Sequence, residues 1–167
     1  MNILNAFRTT VFCLLSSAGI YAQVFTKAYA QGDTIIRQGD SYVARTVSFQ
    51  LDKAVLLPDP NTTLDSIAVF LIRHDSLVLE IGVHGSTHNV ATDCARITQA
   101  RAKTIYDYLV AKGVQPQRMV PKGYGQKQLL YSDAEIKKQN THDQGWMNQR
   151  NRRVEFRIMS RKFSAPK

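Results

Sequence analysis

The segment Val83-His84-Gly85-Ser86-Thr87-His88-Asn89 gathers several reactive residue types in one short stretch. A serine beside two histidines is the raw material of a hydrolase, in which an imidazole takes the hydroxyl proton. The nucleophile elbow Gly-x-Ser-x-Gly is absent, however, and no third group is placed to orient a base. His84 and His88 stand four apart, a metal-ligand spacing when both lie on one helix face, and Asp93 adds a carboxylate nearby. Here the pair falls on a strand end and a loop, where that spacing loses its meaning. His84 then reads as a packed loop histidine and His88 as solvent-facing. Arg101 offers a planar guanidinium fork that can hold a carboxylate bidentately. The bland reading of Arg101 is a surface helix residue in an ion pair. Cys94 lies near a helix N-terminus, which lowers a thiol pKa somewhat. A small half-buried residue is the simpler reading. Trp146 stands in a polar stretch, as a packing residue, a partner anchor or a lid.

These residues must be positioned by alternating strands and helices. From Tyr42 the period is two, with Val43, Val47, Phe49 and Leu51 on one face and Arg45 the exception. This predicts a half-buried strand, stopped by Pro58-Asp59-Pro60. Asn61 or Thr62 can cap the helix that follows, where Leu64, Ile67, Ala68 and Leu71 form an apolar stripe. Leu77 to Val83 alternates as a second strand. Thr92 or Asp93 caps a long helix that carries Ile97, Ile105, Tyr108 and Leu109 inward, and Gly113 ends it. Arg118 to Tyr124 is a short third strand. Ser132-Asp133-Ala134-Glu135 is a capping box opening a brief helix, and a polar loop runs through Gln144-Gly145-Trp146. Arg153 to Met159 closes the pattern, with Val154, Phe156 and Ile158 on one face. The order β-α-β-α-β-(α)-β predicts an α/β (α+β) two-layer sandwich. The alternation within its strands predicts helices on only one sheet face.

The N-terminus reads as an export signal over residues 1–22. Arg8 is basic, Val11 to Ile20 is mostly apolar, and Tyr21-Ala22 offers a cleavage point before Gln23. That apolar run is shorter than the roughly 20 residues a membrane-spanning helix needs, so no span is expected in the mature chain. Phe12 before Cys13 argues against a lipid-anchored cysteine. Residues 23–41 read as a flexible leader, with a strand candidate at Thr34 to Arg37. Residues 42–160 form one domain, and residues 161–167 are a basic tail. Cys94 would be the sole cysteine after cleavage, which excludes an internal disulfide. The net charge is +9, with basic residues crowding the C-terminal end from Arg150 to Lys167. Export weighs against nucleic acid as the partner of that charge. An anionic wall polymer or an acidic membrane surface fits better, and a solvated basic tail is the plain alternative.

Four segments carry a family resemblance. They are Phe49-Gln50-Leu51-Asp52-Lys53-Ala54-Val55-Leu56-Leu57-Pro58; Leu79-Glu80-Ile81-Gly82-Val83-His84; Ile97-Thr98-Gln99-Ala100-Arg101-Ala102 with Lys122-Gly123-Tyr124-Gly125 beyond it; and Asn151-Arg152-Arg153-Val154-Glu155-Phe156. Any one is weak, but all four in order are specific. Together they cover roughly residues 45 to 160 and resemble the OmpA-like C-terminal domain. That module is found in outer membrane protein A, in the peptidoglycan-associated lipoprotein and in flagellar stator proteins. The resemblance implies a non-catalytic, cofactor-free cell-envelope protein of a Gram-negative bacterium. It would lie in the periplasm against the cell wall or outer membrane, with peptidoglycan as its ligand and outer-membrane or periplasmic proteins as further partners.

The family clamps the diaminopimelate of the wall peptide, which carries an ammonium beside a carboxylate. One acid and one base must therefore face each other. Arg101 matches the family's base. The family register places the acid at Ser86, which accepts a hydrogen bond but cannot neutralise an ammonium. His84 matches the family loop. Thr87 completes the implied ligand set, with Asn151 and Arg153 in support. Losing one partner of a buried charge pair costs about 2–5 kcal/mol. Wall binding is therefore expected to be weakened or altered. The alternative is a periplasmic adaptor in an envelope protein complex that no longer binds peptidoglycan.

Overall fold

The computed structural model describes residues 37–58, 61–87 and 91–160. The export signal, most of the leader, His88 and the basic tail lie outside them. Four strands and four helices follow one another as β1 (Ser41–Ala44), α1 (Asn61–Arg73), β2 (Val78–His84), α2 (Ala91–Ala111), β3 (Met119–Gly125), α3 (Asp133–Lys137), α4 (Thr141–Asn151) and β4 (Val154–Ser160). The sheet order is β1-β4-β2-β3. Strand β2 runs parallel to β3 and antiparallel to β4, and β1 lies antiparallel on the free edge of β4. The result is the expected two-layer α/β arrangement, with two short helices where one was predicted.

Alternation sorts the central strands as the sequence implies. Leu79, Ile81 and Val83 of β2 and Val154, Phe156 and Ile158 of β4 are all buried in one core cluster. Helix α1 adds Leu64, Ile67, Ala68 and Leu71, each buried, on the predicted stripe. Helix α2 buries Cys94, Thr98, Ala102, Ile105 and Leu109. Full burial of each large aliphatic side chain contributes about 1.5–3 kcal/mol, and this cluster holds the layers together. Helix α2 lies tightly on β3. A Cβ on Gly123 would run into the backbone nitrogen of Gln99, so only glycine permits that approach. Gly113, at φ +95°, ends α2 as predicted.

Several expectations need correction. The strand beginning at Tyr42 stops at Ala44 and does not run on to Leu51. A turn follows, and then a loop closed by an isolated Phe49–Leu56 bridge. Leu51 is 86% exposed, and Val43 shares its face with Glu155 rather than with the core. The loop allows these apolar residues to break the two-residue period. Helix α2 begins at Ala91, so Thr92 and Asp93 lie within its first turn. Ile97 and Tyr108 are only half-buried.

Arg118 precedes β3, in a 3-10 turn at Pro116–Arg118. The supposed loop at Gln144-Gly145-Trp146 is part of α4, whose N-cap Asn140 accepts from the Asp143 amide. The capping box of α3 is present, with Ser132 and Glu135 bonding reciprocally. Beyond the helices, the opposite sheet face is not open to water throughout. Glu80, His84 and Glu155 are buried there. The long side chains around them cover the face: Tyr124 donates to Glu80, and Arg157 bonds Glu155.

Candidate functional site

A cleft of about 1070 Å³ opens at the end of the sheet where β2 stops and β4 begins. Arg101 enters it from α2 and Ser86 from the loop after β2. Arg152, at the C-cap of α4, supplies a third wall.

Arg101 is held on one side. Its Nε donates to the Lys53 carbonyl at 2.9 Å and its Nη2 to the Gln50 carbonyl at 3.2 Å. Its guanidinium carbon stands 5.0 Å from the centre of the Phe49 ring. One turn further along α2, Thr104 donates to the Ala54 carbonyl at 2.8 Å. The loop after β1 is thereby strapped to the helix and fixes the arginine. A guanidinium carries five N–H donors, so the fork keeps donors beyond the two spent on the loop. Burial lowers the Arg101 pKa from its ordinary value. The nearby Asp52 charge raises it and Arg152 lowers it further.

Ser86 is buried, and its surroundings are cationic. Its Oγ accepts from Arg152 Nη1 at 3.3 Å, and its carbonyl accepts from Gln126 Nε2 at 2.9 Å. Thr87 turns away to donate to Asn148 Oδ1 at 3.3 Å. The structure therefore brings Arg101 and Ser86 to one cleft, adds Arg152, and engages Thr87 in holding α4.

His84 also borders the cleft, but its ring packs flat on Tyr124, 4.6 Å between centroids and 6° between planes. Burial pushes its pKa down to about 4, with Arg153 adding to the effect and Glu155 opposing it. Glu155 Oε2 lies 3.5 Å from His84 Nε2. The two form an ion pair only when the histidine is protonated, so near neutral pH the contact is not one. Among the described residues neither ring nitrogen has a hydrogen-bond partner.

The serine hydroxyl is thus engaged by an arginine, and no described histidine bonds it as a base would. Nor do three His, Cys, Asp or Glu side chains converge with metal-ligand geometry among the described residues. The Cys94 thiol differs from expectation. Burial raises its pKa and outweighs the helix N-terminus.

The two supporting residues have separate tasks. Asn151 is fully buried, accepts from the Leu130 and Tyr131 amides and donates to the Tyr131 carbonyl. It braces the loop that brings Leu130 to the cleft. Arg153 bonds the Gln128 carbonyl and lies 3.5 Å from Glu155. Its neighbour Arg152 is the one that meets Ser86. Trp146 stands on α4 at the rim, 42% exposed, with Arg150 at 4.7 Å over its ring.

The OmpA family model matches residues 48–142. The chain is 32% identical over 113 residues to outer membrane protein A of Bordetella avium, covering 66% of this chain and 53% of that protein. It is 29% identical over 106 residues to outer membrane protein P5 of Haemophilus influenzae, covering 59% and 29%. The chain therefore spans about half or less of the length of these relatives. Its fold is similar to the peptidoglycan-associated lipoprotein from Burkholderia pseudomallei, with TM-score 0.53 and 18% identity over 67% of this chain and 87% of that one. It is also similar to a putative MotB-like protein from Desulfovibrio vulgaris, with TM-score 0.60 and 19% identity over 88% and 92%. The match to the family model runs from the Phe49 loop, past Arg101, to the start of α4, and the chain belongs to the OmpA family.

Proposed function

We propose that the chain is a non-catalytic envelope protein that binds peptidoglycan through this cleft, with Arg101 receiving a carboxylate of the stem peptide. The state of Arg101 supports the reading best. Its guanidinium is fixed by two backbone carbonyls of the Phe49 loop yet keeps donors facing a cleft. A preorganised arginine costs little side-chain entropy when a carboxylate arrives. A solved protein of the same fold is named for its association with peptidoglycan. In this reading residues 1–22 direct export, residues 42–160 form the binding domain, and the periplasm is its compartment. Ser86 and the surrounding loop shape the pocket, and His84 supports it from behind.

The test is co-sedimentation with purified sacculi at low salt. The chain is expected in the pellet, and Arg101→Ala is expected to weaken binding by about thirtyfold or more. A wild-type chain that stays in the supernatant overturns the reading. A second reading, an adaptor for envelope proteins, draws on the exposed apolar residues lining the cleft, Leu51, Leu130 and Trp146. Stoichiometric cross-linking to one envelope protein, unaffected by Arg101→Ala, would favour it.

A further inference from the structure

The family register puts an acid where this chain has Ser86, and the structure sets a cation against that serine. Arg152 Nη1 donates to its hydroxyl. Arg152 also lies near enough to Arg101 for the two positive charges to oppose each other. Arg45 and Arg150 add to the same cleft wall. Of the two carboxylates that line it, Glu155 is already engaged by Arg153 and Arg157, and Asp52 is exposed on the strapped loop.

A zwitterion is poorly served by this arrangement. Its carboxylate meets Arg101, but its ammonium meets a second guanidinium where a carboxylate is required. Acylating that nitrogen changes the balance. The positive charge disappears, and a carbonyl oxygen is gained that can accept from the N–H groups Arg152 does not spend on Ser86. The retained carboxylate still pairs with Arg101.

We propose that the cleft selects an α-carboxylate whose neighbouring nitrogen is acylated, and that its source is the diaminopimelate of a cross-linked stem peptide. Arg152 is the specificity-determining residue. Free stem peptides carry an ammonium at that nitrogen, whereas cross-linking converts it to an amide, so the protein reads bridged wall in preference to unbridged wall. This inference rests on the wall-binding reading.

Calorimetric titration of the chain with two soluble probes tests it. One is the tripeptide L-Ala-γ-D-Glu-meso-diaminopimelate. The other is the same peptide acetylated on the amine beside the free carboxylate of the D-centre. The acetylated probe is expected to bind about tenfold tighter or more. Arg152→Gln is expected to shrink that preference, and Ser86→Asp to cancel or reverse it. Equal or tighter binding of the free amine by the wild-type chain overturns the inference and leaves wall binding standing. Pelleting with sacculi while neither probe binds does the same. No pelleting and no probe binding overturn both. An acetylated peptide ending in L-alanine also presents an amide beside a carboxylate. If it binds as well as the acetylated wall probe, the assignment to cross-linked wall is wrong.

Discussion

The two ends of the sheet use arginine in opposite ways. At the end where β2 and β3 begin, Arg118 is buried and fully committed. Its Nε donates to the Leu77 carbonyl at 3.0 Å, and its Nη2 donates to Leu71 at 2.8 Å and to His74 at 2.6 Å. Those carbonyls end α1 and lead into β2, where helix geometry leaves acceptors without partners. At the other end Arg101 spends donors on two carbonyls and turns the rest of its fork to a cleft. Ser86 accepts from a cation, and His84 is buried with both nitrogens unbonded among the described residues. Complete satisfaction marks the end that holds the fold together. Unspent donors and a desolvated titratable ring gather at the end assigned to binding.

The largest expected effect tests the closed end. Arg118→Ala leaves several buried carbonyls without a donor and removes a charge-assisted network, which costs about 3–5 kcal/mol. The urea midpoint is expected to fall accordingly, with the slope unchanged. Arg118→Lys is expected to restore little, because one ammonium cannot reproduce the fork across three carbonyls. A loss below about 1 kcal/mol in the alanine variant, within the range of an ordinary surface change, would mean that Arg118 is not what ends α1.

The next effect belongs to the open end. The His84 pKa is about 4 in the folded chain against an ordinary 6.5. As pH falls, the unfolded chain takes up this proton first, so stability declines between pH 6.5 and 4 and is fully present above that window. The integrated loss by pH 4 is about 3 kcal/mol. Glu155, Arg153, Arg157 and Glu80 all act on this ring, and Glu155 has its own acid limb, because Arg157 and Arg153 hold its pKa below the ordinary value. The control is therefore His84→Phe, which keeps a ring against Tyr124 but cannot titrate. Denaturant titrations at pH 7 and pH 4 are expected to show wild type losing about 3 kcal/mol more than the variant. Parallel losses would show that His84 does not bind the proton on unfolding.

The contrast between the two ends also explains what could be read from the chain alone. The stripe of α1, the alternation of β2 and β4, the capping box at Ser132 and the stop at Gly113 are local patterns, and each took its expected form. Helix α4 escaped because its composition is polar throughout. Its stability comes from the Asn140 cap and from amide contacts by Asn148 and Asn151, and amides read as loop residues. The family register led to Arg101 and Ser86. It could not separate Arg152 from Arg153, because their directions depend on where α4 ends and β4 starts. Arg118 was mistaken for a strand residue because its partners lie more than forty positions earlier in the chain. Pairings at that distance leave no trace in a local period.

The smallest expected effect probes how the open end keeps Arg101 ready. Thr104 donates to the Ala54 carbonyl and also to Ala100, one turn back on α2. Thr104→Val keeps the shape and removes the donor. The site is only half-buried, so water can reach the freed carbonyl, and stability should fall by only about 0.5–1 kcal/mol. Wall binding should weaken by about two- to fivefold, because the Gln50 and Lys53 carbonyls that orient Arg101 belong to the loop this bond fastens. The ratio of the two effects is the informative quantity. At the closed end, damage to an arginine's surroundings should appear as lost stability. At the open end it should appear as lost affinity. If Thr104→Val lowers stability and leaves sacculus binding unchanged, the strap holds the loop without preparing Arg101, and the division of labour between the two ends does not hold.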